Sequence, residues 1–227
     1  MLADYFSLAT LCNGRIEKIG ARIREKPADA FQKIKKWSNE AVGLSSYSVH
    51  HLRHGLSAVA AAASTTEGLP EDLLQRLPEV LGVLPLSTCN RVEIVIETAP
   101  AISEEQLTAV DGYIQSRLGT VCEIRRDRQV LEHLFRVACG LDSMVVGERE
   151  ISGQLRRALR VATQERIASA TITRACQGAL TTSRRIAQLT GIASQGRSVV
   201  ACGLEIVTER INPLAGTPTL LIGTGSY

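Results

Sequence analysis

Lysine is missing from most of this chain. All five lysines, Lys18, Lys26, Lys33, Lys35 and Lys36, fall in the first 36 residues, and the rest of the 227-residue chain carries 18 arginines and none. The only tryptophan, Trp37, and two of the three phenylalanines, Phe6 and Phe31, sit in or beside the same stretch. So abrupt a change marks residues 1–43 as a lysine-rich leader. The expectation is a segment of different origin, fused or misassigned; a native N-terminal helix with its own bias is the alternative. Aromatics make up only 4% of the chain, so aliphatic side chains and alanine must fill the core, and the 44% hydrophobic content suffices for one. No apolar run is long enough to span a bilayer. Met1 to Thr10 lack the basic start and apolar stretch of a signal peptide. The six cysteines contain no CxxC pair, which excludes a zinc knuckle or a dense disulfide framework and favours a reducing, cytoplasmic setting. A net charge of +3 is too small to specify a nucleic-acid partner by itself.

Periodicity and punctuation place the elements. Residues 15–40 have the mixed spacing of a surface helix. Residues 45–63 pass from a short strand into an alanine-rich stretch, and Pro70 opens a short helix with acidic residues in its first turn. The apolar run 80–86 and the alternating VEIVIE over 92–97 read as strands. Ser103 and Gln106 have capping-box spacing, predicting a helix over 103–117. A short strand follows near 121–124, then a helix over 128–139 closed by Gly140. Residues 148–190 contain no proline and only Gly153 and Gly178, so they read as a long helical region. Another helix covers 197–211, ended by Asn212-Pro213. Thr217 to Ile222 read as a buried strand running into Gly223-Thr224-Gly225-Ser226.

The chemistry gathers at Ser87-Thr88-Cys89-Asn90-Arg91, a polar interruption between two apolar strands. A packed sheet has no use for such a gap; an accessible thiol does. The thiolate is the nucleophile, and a neighbouring cation such as Arg91 favours it and can hold a carboxylate bidentately. Asn90 and local backbone N–H groups are candidates for stabilising an oxyanion. The competing reading is an inert structural cysteine beside a turn. His133 lies near the edge of the apolar face of its helix and is either a proton-transfer partner or a core-edge residue. His50 and His54 have HxxxH spacing, but no carboxylate or cysteine completes a ligand set, so no metal is expected. Asp142, Ser143, Glu148 and Gln154 cluster before and at the start of the long helical region, either to recognise an amino-acid substrate or, for Glu148, simply to cap the helix.

STCNR at 87–91, HLFRVACGLDSMVVGE at 133–148 and the I-x-G-Q element from Ile151 to Gln154 together resemble glutamyl-tRNA reductase over roughly residues 78–226. The resemblance implies that Cys89 attacks the ester carbonyl of glutamyl-tRNA, that tRNA leaves behind a thioester, and that NADPH delivers hydride to release glutamate-1-semialdehyde, the first committed intermediate of five-carbon tetrapyrrole synthesis. It implies His133 as an activity-linked histidine. It implies contacts to the glutamyl group from Thr88, Asn90, Arg91, Ser143, Glu148, Arg149, Glu150 and Gln154. The implied fold is an α/β catalytic domain over 44–147, a long connecting helix region over 148–191 and the first strand of a Rossmann-type NADPH domain over 192–227, with cofactor contacts from Gly223, Thr224, Gly225 and Ser226. Homodimerisation and the aminomutase that follows in the pathway are the implied protein partners.

Two departures stand out. Residues 45–57 occupy the place of the family's Ser-His-Lys/Arg-x-Ala-Pro stretch but match it poorly. Gly223 and Gly225 supply two glycines of a G-x-G-x-x-G/A loop whose third falls beyond Tyr227, and the helix that would receive a pyrophosphate is missing. The expectation is therefore a chain able to form the thioester and to lose it to water, like an esterase. The alternative is a tRNA-binding remnant without chemistry, contacting phosphates through Arg156, Arg157, Arg160, Arg166, Arg174, Arg184 and Arg185. An unrelated cysteine hydrolase is a third reading, for which no hydrolase signature exists in the sequence.

Overall fold

The computed structural model describes residues 43–143, 147, 150–190, 199–211, 216–218 and 220. The leader over 1–42 lies outside the described residues, as do Glu148, Arg149 and the stretch Gly223–Ser226; the predicted strand over 217–222 is described only in part.

The described chain runs β1 (Leu44–His50), α1 (His51–Ser64), α2 (Leu69–Arg76), β2 (Val80–Ser87), β3 (Arg91–Thr98), α3 (Glu104–Leu118), β4 (Glu123–Arg126), α4 (Arg128–Ala138), α5 (Glu150–Gln164), α6 (Ala170–Thr190) and α7 (Val199–Arg210). The strands form one antiparallel sheet in the order β2-β3-β1-β4. Strand side chains alternate between faces, so the sheet has two apolar sides and builds two cores. On one side Tyr47, Val49, Val92, Ile94 and Ile96 pack with Val59 and Ala62 of α1, Leu69 and Leu73 of α2 and Val110, Ile114 and Leu118 of α3. On the other, Leu44, Leu84, Leu86 and Val95 pack with Val130, Leu131, Leu134 and Val137 of α4, Leu155 and Leu159 of α5 and Ala175, Cys176 and Ala179 of α6. The result is the mixed α/β architecture expected, with helices covering both faces of the sheet.

Local chemistry fixes the element ends. Ser103 accepts from the Gln106 backbone N–H at 3.2 Å and the Gln106 side chain accepts from the Ser103 N–H at 3.0 Å, completing the predicted capping box of α3. Gly119 takes the left-handed conformation at its other end. Pro85 lies in β2, an edge strand, where a missing N–H is tolerated.

The helical region predicted over 148–190 divides into α5 and α6. The turn between them includes Arg166 at φ 60°, a left-handed position that glycine usually takes, so no glycine or proline marks the break. That turn caps the outer edge of β2: the Val83 N–H donates to the Ile167 carbonyl at 2.7 Å. Gly82 permits the approach, because a Cβ there would stand 2.6 Å from the backbone nitrogen of Ser169. Both helices therefore belong to the core of the sheet domain. Among the described residues no helix is long and apolar enough to cross a membrane.

Candidate active site

Ser87 pairs with Val92 as the last rung between β2 and β3, leaving Cys89 and Asn90 at the tip of a hairpin. Thr88 builds the tip. Its N–H donates to the Arg91 carbonyl at 2.9 Å, and its hydroxyl accepts from the N–H groups of Asn90 and Arg91 at 3.3 and 3.2 Å. A threonine hydroxyl that satisfies two backbone donors lets a tight turn form without the usual Asn-Gly pair. Cys89 is exposed at this tip, whereas Cys122, Cys139 and Cys176 are buried and desolvation pushes their thiols up, to about 11 for Cys122 and Cys139 and about 12 for Cys176. The sequence expectation of backbone oxyanion donors needs correction at two positions: the N–H groups of Asn90 and Arg91 are occupied by Thr88.

Behind the tip the sheet carries a buried charge network. Arg91, 2% exposed, donates from Nη1 to Glu93 Oε1 at 3.1 Å and from Nη2 to the Asp142 carbonyl, and Nη2 also lies 3.3 Å from His50 Nε2. His133 reaches the same Glu93 oxygen from α4, with Nε2 at 2.8 Å, and its Nδ1 stands 3.5 Å from Asp142 Oδ2. Arg136, one turn along α4, grips the Asp142 carboxylate with Nε at 3.0 Å and Nη2 at 2.6 Å from Oδ1. The β1 end joins in: the His51 backbone N–H and ring Nδ1 both contact the Asn90 carbonyl, at 3.0 and 3.2 Å. The first residue of α1, directly after the short strand β1, thus pins the hairpin tip.

The predicted site residues that are described fall at the hairpin, on α4 and just after it, and on α5; Glu148, Arg149 and Gly223–Ser226 lie outside the described residues. Cys89, Thr88, Asn90 and Arg91 form the tip and its root. His133 joins Arg91 through Glu93, and Ser143 follows Asp142 in the half-buried turn after α4. Gln154 and Glu150 lie one turn apart on α5, where Gln154 Nε2 donates to Glu150 Oε1 at 3.3 Å. Arg91, predicted to grip a substrate carboxylate, is buried and directed at an internal one. Sequence reasoning missed Glu93. The signal was present: a carboxylate flanked by Val92 and Ile94, on the strand face opposite to theirs, needs a cationic partner from whatever covers that face.

Opposing shifts give the network a pH dependence. Burial raises the Glu93 carboxyl, but the charges of His133, Arg91 and Arg125 outweigh it and hold it well below 4.5. Burial likewise opposes Asp142, and hydrogen bonds from His133 and Arg136 hold it well below 3.8. Burial, then Arg91, lowers His50 from 6.5 to about 4, and burial first of all lowers His51 as well. All four fold with depressed values, so their stabilisation is present above the unfolded values and lost as pH falls. His133 is the opposite case: its value is raised, so its contribution is complete below 6.5 and lost as pH rises through the folded value. Urea midpoints are therefore expected to peak near pH 6.5 and to fall first between 6.5 and about 4, where the unfolded chain takes up a proton that folded His50 does not. A midpoint that stays flat over that interval contradicts the assignment.

A mixed α/β domain that presents an exposed cysteine on a hairpin tip, above a buried network of charged groups, is the class of protein that fold and site define. Residues 47–190 match the family described as glutamyl-tRNAGlu reductase, N-terminal domain. The glutamyl-tRNA reductase of Cutibacterium acnes is 40% identical over 185 residues, covering 79% of this chain and 41% of that protein. The glutamyl-tRNA reductase of Pseudarthrobacter chlorophenolicus is 35% identical over 187 residues, with 78% and 42% covered. Among solved structures, glutamyl-tRNA reductase from Methanopyrus kandleri superposes with a TM-score of 0.62 at 24% identity, covering 74% of this chain and 40% of that one, a likeness of fold. The chain belongs to the glutamyl-tRNA reductase family, within which it matches the N-terminal domain. It spans about two-fifths of the length of the curated relatives it matches.

Proposed function

We propose that this chain carries the acyl-accepting step of a glutamyl-tRNA reductase. The Cys89 thiolate attacks the ester carbonyl of glutamyl-tRNA, the carbon–sulfur bond forms, the carbon–oxygen bond to the terminal ribose breaks, and the ribose oxygen leaves with a proton. The observation that carries this reading is the contrast in exposure: the cysteine of the family motif stands in solvent on a built turn, while Cys122, Cys139 and Cys176 are buried. Arg91 supports the thiolate as a fixed positive charge two residues away. Thr88 holds the turn, and Asn90, Ser143, Glu150 and Gln154 are proposed to contact the glutamyl group, as are Glu148 and Arg149.

In the whole family protein, NADPH supplies the hydride that turns the thioester into glutamate-1-semialdehyde; Gly223 to Ser226 are proposed to belong to its binding loop. The other proposed parts are those of a cytoplasmic pathway enzyme: glutamyl-tRNA as substrate, a homodimer and contact with the following aminomutase. The seven arginines from Arg156 to Arg185 are exposed, which supports contact between α5, α6 and the tRNA backbone.

Without NADPH, water resolves the thioester. The 227-residue chain is therefore expected to accelerate release of glutamate from glutamyl-tRNA, read as loss of acylated tRNA against a protein-free control. Equal loss in both overturns the reading.

A further inference from the structure

His133 is the one ring in the network whose two nitrogens both face carboxylates. Nε2 lies 2.8 Å from Glu93 Oε1 and Nδ1 lies 3.5 Å from Asp142 Oδ2. An ionised carboxylate only accepts hydrogen bonds, and a neutral imidazole carries one N–H. A neutral His133 would therefore turn a bare lone pair toward one of the two oxygens. A second proton removes that repulsion and gives each carboxylate a donor.

Both carboxylates are themselves fixed as anions. Glu93 is held by Arg91 from the same strand, and Asp142 by the two-point grip of Arg136 from α4. The remaining charges that bear on the ring are Arg91, which is anchored on Glu93, and Arg125 of β4, whose charge works against protonation. His50 of β1 provides the contrast within the same network. Its Nδ1 accepts the Leu52 N–H at 3.2 Å, its Nε2 faces an Arg91 donor at 3.3 Å, and among the described residues neither ring nitrogen has a carboxylate as a hydrogen-bond partner.

We propose that His133 serves the reaction as an imidazolium with both ring nitrogens donating, that Glu93 and Asp142 are the positioning residues that hold it so, and that it is not the base that takes the Cys89 proton. An imidazolium has no lone pair to offer. His133 contributes a second fixed positive charge beside Arg91, behind the hairpin from which the thiolate attacks. Burial opposes that charge, but the Glu93 charge and the hydrogen bonds to Asp142 and Glu93 raise the ring above its ordinary value. The inference takes its place in the reaction from the proposed function, but the charge state stands on geometry alone.

The test is ring-nitrogen NMR of the 15N-labelled 227-residue chain, titrated across neutrality. The expected result is two protonated nitrogens on His133 at pH 6.5 and a midpoint above 6.5, with His50 titrating near 4. Asp142→Asn is expected to shift the His133 midpoint downward, and Asp142→Glu to restore it. Glu93→Gln is expected to do the same as Asp142→Asn; if that variant does not fold, Asp142→Asn decides, because Asp142 is only half-buried. A bare ring nitrogen on wild-type His133 at pH 6.5, or an unmoved midpoint in Asp142→Asn, overturns the proposal. Glutamyl transfer is a separate measurement. If transfer fails while the titrations come out as expected, the proposed function falls and the charge assignment stands.

Discussion

Cys89→Ser is expected to remove glutamyl transfer while leaving the fold intact. A hydroxyl is far less ionised than a thiol at neutral pH, and the fixed positive charge of Arg91 favours a thiolate but cannot compensate for so large a gap in acidity. The loss should be on the order of a thousandfold or more in the rate of glutamate release, the scale seen when a nucleophile is removed from a site that otherwise keeps its binding contacts. The hairpin should not notice: Cys89 is exposed, and the turn is built by Thr88 and the β2–β3 rungs. A change in stability within about 0.5 kcal/mol is expected, as for ordinary surface substitutions. Two measurements check this together, deacylation of glutamyl-tRNA and the urea midpoint. A Cys89→Ser protein that keeps the wild-type rate means the sulfur is not the acceptor.

The largest effect on stability is expected from Glu93→Ala. Glu93 is 1% exposed and is the shared acceptor of Arg91 and His133, so its removal strands a buried guanidinium and a buried imidazole without their anion. Breaking a buried pair from one side typically costs about 3–5 kcal/mol, because the abandoned charge keeps its desolvation penalty and loses its partner. Against the roughly 5–15 kcal/mol that holds a domain of this kind together, that is a large fraction. Arg136→Ala is the comparison. The Arg136 side chain is 58% exposed, so solvent screens its pair with Asp142 and the cost should stay within about 1 kcal/mol. Denaturant titration of the two variants separates them. Equal losses would mean that burial of the network is not what stabilises it.

Most elements were legible because each carries its own local signal. The capping box at Ser103 and Gln106, the proline at the start of α2 and the alternation of VEIVIE each fix an element from a few residues. β1 was the faintest strand, since its three serines hide the apolar alternation of Tyr47 and Val49. The break between α5 and α6 was invisible because Arg166 takes the left-handed position without a glycine to announce it. The hairpin tip could be read from the polar gap around Cys89. Its support could not. Arg91 and Glu93 meet His133 across about 40 residues of chain, and no local pattern tells a strand carboxylate which helix will cover it. Arg91 looked like a substrate contact because in sequence it is a cation beside a nucleophile; only folding brings to it Glu93 of its own strand, His50 of β1 and the Asp142 carbonyl in the turn after α4.

The central claim is that the sulfur of Cys89 accepts the glutamyl group. The most direct measurement is mass spectrometry of the protein quenched in acid after brief incubation with glutamyl-tRNA, with the modified peptide sequenced. The account predicts a glutamyl adduct on the peptide containing Cys89, labile to hydroxylamine as a thioester is, and absent from Cys89→Ser. An adduct on another residue, or rapid release of glutamate by a protein that never carries one, would contradict it.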